Sequence, residues 1–232
     1  MDKLTLLSEI NLFNELPLED LQIIDRMSTM APVPKGTILL SPYQQISSLF
    51  FLKEGQVRLY QLSEEGKELT VDVLVKGNMF GETSSFSLTA GAGNMYVETM
   101  TDSKICTMRK QEFEYFMEQN PKIALKFIRM LSNRLTENYS LTEKIALHDV
   151  RYRLVYLLLR LSEKTGTTEQ EQWQSIDMKV THADIAHMIG STRETVSMIF
   201  SKLVKEQLLL KEKSVLYIHR ERALAELESL GN

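Results

Sequence analysis

The sequence is short of the residues on which several protein classes depend. One cysteine, Cys106, among 232 residues leaves no intramolecular disulfide to form and excludes a disulfide scaffold. Nor can one thiol hold an iron–sulfur cluster, which needs about four. Its place in an apolar run reads first as a small buried hydrophobe, with a redox switch as the alternative. Ten Gly and five Pro, in a chain that is 43% hydrophobic and 25% charged, exclude collagen and low-complexity disorder. Apolar runs such as Leu157–Leu159 and Leu208–Leu210 fall far short of the roughly 18 residues that cross a bilayer. No membrane partner is expected. No Lys- or Arg-led apolar segment follows Met1, so no secretory signal is expected and a cytoplasmic location is.

The first 147 residues also lack histidine, the four being His148, His182, His187 and His219. A metal-dependent β-barrel enzyme needs two or three His and a carboxylate on its strands, and is excluded; no metal site is expected. Haem is left with only Cys106 or the terminal amine as ligand. No nucleophilic triad, P-loop or dinucleotide fingerprint is present, and Gly91-Ala92-Gly93 has no helix start after it. The chain is therefore expected not to be an enzyme and to carry no cofactor.

A net charge of −4 argues against a nucleic-acid partner until its distribution is considered. Residues 1–149 hold 15 Lys and Arg against 20 Asp and Glu, whereas residues 150–222 hold 12 against 9. Screening confines surface fields to about 10 Å, so a basic C-terminal face can attract phosphates on an acidic molecule.

Leu4 to Met30 alternates apolar and acidic residues at helical spacing, and Pro17 followed by Glu19 and Asp20 suits a helix start. From Pro32 to Met108 the character changes to short β-branched and aromatic runs: Thr37–Leu40, Leu49–Leu52, Val57–Tyr60, Leu69–Leu74, Tyr96–Met100 and Lys104–Met108. Their spacing predicts an all-β roll or barrel, with hairpin turns at Gly55, Ser63–Gly66 and Lys76–Asn78. A short helix through Phe113 and Phe116 then stops before Asn120, and Pro121 opens a long helix to about Leu147. Along it Ile128, Leu131, Leu135, Asn138, Thr142 and Ile145 follow alternating steps of three and four. Two readings fit: a helix packed on its own β domain, or a coiled-coil dimer seam in which a polar Asn fixes the pairing. Asp149 marks a hinge, Arg151–Lys164 another apolar helix, and Thr165–Trp173 a polar exposed loop.

The sharpest local pattern runs from Val180 to Leu203. Thr181 with Asp184 three residues on suits a helix cap, Ala186 allows close approach of a second helix, and Gly190 permits a tight turn. Thr192 then caps a helix whose core positions are Val196, Ile199 and Leu203. This is the pattern of a helix-turn-helix. Arg193, Glu194, Ser197 and Lys202 fall on its leading edge and flank. Arg can donate twice to guanine and Glu can accept from cytosine, so the pair suits major-groove reading, against the alternative of a merely solvated pair. Leu208–Leu210 and Val215–Ile218 around Lys211-Glu212-Lys213 predict two wing strands.

Three ordered motifs extend these readings: Phe50–Leu59 as strand-Gly-strand, Gly77–Glu82 as G-x-x-F-G-E, and Gly190–Val196 at the second helix. Through them the chain resembles the Crp/Fnr family of bacterial transcription regulators over nearly its whole length. The resemblance implies an α+β architecture: a double-stranded β-helix or jelly-roll-like sensor domain at 1–120, a dimerisation helix and hinge at 121–148, and a winged helix-turn-helix at 149–232. It implies a homodimer on a palindromic double-stranded DNA operator, with RNA polymerase as a partner if the protein activates. Arg193 and Glu194 match base-reading positions of the cyclic-AMP receptor branch. Thr181, Ser191, Thr192 and Thr195 match phosphate-facing ones, where His182 stands in place of an Arg. Met198 stands where that branch has a third base-reading Arg, so the operator is expected to differ at one step.

The resemblance also implies an effector pocket at Gly81, Glu82, Thr83, Ser84, Asn94 and Met95, facing Asn138 and Tyr139 of the long helix. Cyclic-nucleotide-binding members place an Arg about a dozen residues after the G-E pair, but no Arg or Lys occurs between Lys76 and Lys104. A partly buried phosphodiester without a cationic partner loses a strong charge-assisted pair, so cyclic AMP is not expected. Either another small molecule or a protein partner controls the chain, or it binds DNA constitutively with the β-roll as scaffold or docking surface.

Overall fold

The structure, a computed structural model, describes residues 7–42, 48–66, 68–81, 95–166, 168–170, 172–177, 180–212 and 215–230; the side chains of residues 138, 141, 145 and 168–170 lie outside the description. The chain divides into two compact units, Met1–Thr136 and Glu137–Asn232.

In the first unit the α1 helix (Leu18–Met27) follows Pro17, carries Glu19 and Asp20 in its first turn, and buries Leu21 and Ile24. Eight strands follow: β1 (Ser28–Val33), β2 (Ile38–Leu40), β3 (Ser48–Glu54), β4 (Gln56–Leu62), β5 (Glu68–Val75), β6 (Met79–Gly81), β7 (Met95–Thr99) and β8 (Ser103–Arg109). They form two antiparallel sheets, ordered β1-β8-β3-β6 and β2-β7-β4-β5. Alternation along the strands explains the roll. Leu52, Val57, Leu59, Leu74, Phe80, Val97 and Ile105 come from both sheets and share one core. Leu49, Phe51, Cys106 and Met108, on the opposite face of the first sheet, pack against Phe13, Ile24, Phe113, Phe116 and Phe127. Strands β3 and β8 of that sheet thus feed a core on each face, and Cys106 is a buried free thiol.

The expected turns need one correction. Ser63–Gly66 does join the β4–β5 hairpin, but Gly55 and Lys76–Asn78 join strands of different sheets. Gly55 lies at φ +92°, where a Cβ would collide with Ser103; it is a corner between sheets, not a hairpin tip. The helical reading through Met30 also runs too far, because Ser28–Met30 pair with Cys106–Met108 as the start of β1.

The α2 helix (Lys110–Gln119) ends before Pro121, which opens the α3 helix (Pro121–Leu147), as the sequence predicts. One face of α3 buries Ile123 and Phe127 in the first unit's core, with Met130 and Leu131 packed partly against it. Another face exposes Leu125, Ile128, Leu135 and Tyr139.

In the second unit Asp149 caps the α4 helix (Val150–Thr165) by accepting from Tyr152 N–H at 2.8 Å. This helix buries Leu154, Val155, Leu157, Leu158 and Leu161. It is followed by β9 (Thr168–Gln170), β10 (Trp173–Ile176), the α5 helix (His182–Ile189), the α6 helix (Arg193–Lys205), β11 (Leu209–Glu212), β12 (Val215–His219) and the α7 helix (Arg220–Leu230). The sheet order is β11-β12-β10-β9. The segment read as a polar loop therefore holds a strand: β9 pairs with β10 at the sheet's edge, where backbone pairing does not require the apolar alternation that reveals a strand in sequence. Among the described residues no helix is long and apolar enough to cross a membrane.

Candidate nucleic-acid interface

The interface is built by local capping. Thr181 and Asp184 form a reciprocal box: Asp184 Oδ2 accepts from Thr181 N–H at 2.8 Å and from its hydroxyl at 2.7 Å, while Asp184 N–H donates to Thr181 Oγ1 at 3.1 Å. At the other end of α5, Gly190 adopts φ 61° and ψ 51°, a left-handed conformation that favours glycine. Gly190 and Ser191 N–H both donate to Ala186 O. Two residues on, Thr192 Oγ1 accepts from Thr195 N–H at 3.2 Å and starts α6. The second helix is thus restarted within three residues of the end of the first.

Val196, Ile199 and Leu203 of α6 are buried, the three core positions the sequence predicts. The same periodicity turns the opposite face outward: Arg193, Glu194, Met198, Ser201 and Lys202 are exposed, and Thr195 and Ser197 half-buried. Ser191 is half-buried, and Thr181 and Thr192 are exposed at the helix starts. The structure therefore brings together every predicted DNA-contacting position on one helix pair. His182 joins the two helices: its Nδ1 lies 2.8 Å from Ser197 Oγ, and its ring packs on Phe200 at 4.7 Å. Burial, then Lys211 and Arg193, hold its imidazolium below the usual range.

Three residues escape the sequence reading. Ser201 stands four positions after Ser197, whose carbonyl accepts from its hydroxyl at 2.9 Å, and that spacing on one helix face is the signal that finds it. Lys211 lies on the wing strand β11, near enough to His182 to depress its titration. Arg153 of α4 donates from Nη1 to Ile189 O at 3.0 Å and from Nε to His148 O at 2.8 Å, bracing the turn from behind. No local pattern announces that contact. Nearby, Arg151 bridges Glu206 and Glu226 at 2.6 Å each, and its guanidinium is held above the usual range by Glu206 first.

The residues expected around an effector fare differently. Glu82, Thr83, Ser84 and Asn94 lie outside the described residues, as does the side chain of Asn138. Gly81 ends β6, and Met95 is buried within the roll's core. Tyr139 is exposed. A cation does approach the roll from the long helix, since Arg134 reaches Asp72 of β5 at 3.2 Å. Of the expected seam, Ile128, Leu135 and Thr142 are exposed, Leu131 packs partly on the first unit's core, and the side chain of Ile145 is outside the description. Among the described residues no group of three or more His, Cys, Asp or Glu is placed to hold a metal ion.

Two capped helices at a tight turn, with a β11–β12 hairpin beyond them, define a winged helix-turn-helix protein that carries a separate β-roll. The family model "Cyclic nucleotide-binding domain" matches residues 31–120, and "Crp-like helix-turn-helix domain" matches residues 152–227. The two together span most of the chain in this order, and the chain belongs to the Crp/Fnr family. Among its relatives are the "Global nitrogen regulator" of Nostoc sp., 27% identical over 82% of this chain and 85% of that protein. The "cAMP-activated global transcriptional regulator CRP" of Haemophilus influenzae is 24% identical over 82% of this chain and 83% of that protein. The fold is shared with a CooA variant from Carboxydothermus hydrogenoformans (TM-score 0.74, 23% identity, 91% and 90% of the two chains). FixK2 of Bradyrhizobium japonicum shares it too (TM-score 0.74, 18% identity, 88% and 96%). The protein is a DNA-binding transcription regulator of the Crp/Fnr type and not an enzyme.

Proposed function

We propose that the protein acts in the cytoplasm as a homodimer on a palindromic operator. The recognition face of α6 carries this reading: Arg193 and Glu194 read base edges from its first turns, with Ser197, Met198 and Ser201 along the groove-facing side. Thr181, His182, Ser191, Thr192, Thr195 and Lys202 lie where backbone phosphates pass. Two copies would pair through the exposed face of α3, where Leu125, Ile128, Leu135 and Tyr139 offer apolar surface beside Thr142. Leu131, turned partly into its own unit's core, contributes from the margin. Pairing sets two recognition helices about 34 Å apart, one turn of the duplex. RNA polymerase is the further partner if the protein activates.

Control by cyclic AMP is not part of this reading, although a relative is named for it. No Arg or Lys stands between Lys76 and Lys104, and the cation that reaches the roll from α3, Arg134, is already paired with Asp72. Both observations favour a different small molecule or partner, or constitutive DNA binding with the roll as scaffold.

The test is selection of bound fragments from random-sequence duplexes by the purified protein, without added ligand, at about 150 mM salt where non-specific binding is suppressed. An inverted repeat is the expected product and supplies the operator. Recovery of nothing specific by a folded dimer sinks the constitutive reading and directs the search to an effector.

A further inference from the structure

A histidine and two cationic side chains from three elements lie close enough to influence one another at one corner of the winged helix unit. His182 begins α5, Arg193 begins α6, and Lys211 stands on β11. The histidine is fixed there by Ser197 Oγ at Nδ1 and by the Phe200 ring, which leaves Nε2 as the nitrogen for a ligand. The charged groups that face it are Arg193 from α6 and Lys211 from β11. On its own first turn the carboxylate of Asp184 is taken by the Thr181 backbone and hydroxyl. Burial, then the neighbouring positive charges of Lys211 and Arg193, disfavour the imidazolium form of His182 in the free protein.

We infer that His182 is a proton-linked contact to the DNA backbone: it takes up a proton as a phosphodiester docks at this corner, so that DNA affinity rises as pH falls. The inference rests on the reading of this face as the DNA interface. An imidazolium donates from both nitrogens, here from Nδ1 to Ser197 Oγ and from Nε2 to a phosphate oxygen. The phosphate stabilises the second proton directly and offsets the repulsion from Arg193 and Lys211. The bound histidine thus titrates at higher pH than the free one. Affinity is weakest above the bound value, rises as pH falls through it, and levels off below the free value. A lysine or arginine here would be charged throughout; histidine makes the contact conditional between about pH 5 and 8. Each unit that separates the two titrations is worth about tenfold in affinity per protomer.

Phosphate contacts do not depend on sequence, so a fluorescein-labelled mixed-sequence duplex is a sufficient probe. Anisotropy titrations at constant ionic strength between about pH 6 and 8.5 would compare the full chain with His182→Arg and His182→Gln. The wild-type affinity is expected to fall several-fold across this range. His182→Arg should bind tightly with a flatter profile, and His182→Gln weakly with an equally flat one. The His182 Cε1–H resonance should titrate at higher pH in the complex than in the free protein. A wild-type profile parallel to that of His182→Gln, or an unmoved resonance, overturns the inference while leaving DNA binding intact. Absence of duplex binding by all three proteins at every pH overturns the interface reading and the inference with it.

Discussion

The guanidinium of Arg134, on the long helix α3, lies 3.2 Å from the carboxylate of Asp72 on strand β5, with both side chains largely shielded from water. Asp72 also accepts from Val73 N–H at 2.9 Å, so the carboxylate is oriented from its own strand. An anion supplied by the protein itself thus holds the helix to the roll. Asp72→Asn keeps the backbone acceptor and removes the charge. It should destabilise the first unit by up to about 1.5–3 kcal/mol, the range for hydrogen bonds to charged groups. Urea unfolding of Asp72→Asn, Arg134→Gln and the double variant measures the pair: non-additivity of about 1 kcal/mol is expected, and strict additivity would remove the tether.

Arg193 is exposed on the first turn of α6 and makes no ion pair among the described residues that would occupy it. If it reads a base, Arg193→Ala relaxes specificity at one step of each half-site, at a cost of about 1–3 kcal/mol in discrimination. Neutralising Lys202 should instead weaken binding to all sequences and lower the salt slope by about one. Competition between operator and random duplex separates the two. Equal losses on both DNAs for Arg193→Ala would assign it to the backbone.

The winged helix unit was legible because its determinants are local. Thr181 with Asp184, Gly190, and Thr192 with Thr195 each act within three residues, so spacing alone locates both caps and the turn. The β-roll was legible as strands but not as sheets. Gly55, Gly66 and Gly77 look alike in sequence, and all three adopt positive φ. Only Gly66 belongs to a hairpin; the other two carry the chain between sheets, and that choice is made by partners such as Ser103 and Asn11 far away along the chain. Arg153 was hidden for the same reason, since its acceptor Ile189 lies 36 positions away.

Ile128 and Leu135 of α3 are 58% and 55% exposed, and together they stand at the centre of the face through which the proposed dimer pairs. Because neither contributes to the buried core, Ile128→Asp with Leu135→Lys should leave the unit folded while lowering dimer affinity at least tenfold. Each lost apolar anchor at such a seam contributes on the order of 1 kcal/mol or more. Sedimentation velocity across a concentration series reads the change. A variant that remains dimeric at the wild-type concentration would place the interface elsewhere.

Arg153 offers the last test, because it braces the turn between α5 and α6 without standing on the face proposed to meet DNA. Its Nε donates to the carbonyl of His148, just past the end of α3, and its Nη1 to that of Ile189, the last residue of α5. One planar group thus satisfies two carbonyls that the helix ends leave open, and links the start of α4 to the turn at Gly190. Lysine carries the same charge but presents no rigid fork, so Arg153→Lys should release one of the two carbonyls. The expected result is a loss of about 1–2 kcal/mol in stability of the second unit, from an unsatisfied partly buried acceptor. Affinity should fall by a similar factor on operator and random DNA, with the preferred sequence unchanged. A change of preferred sequence would mean that Arg153 sets the angle of α6 in the groove rather than its rigidity, and selection from random duplexes with the variant would reveal it.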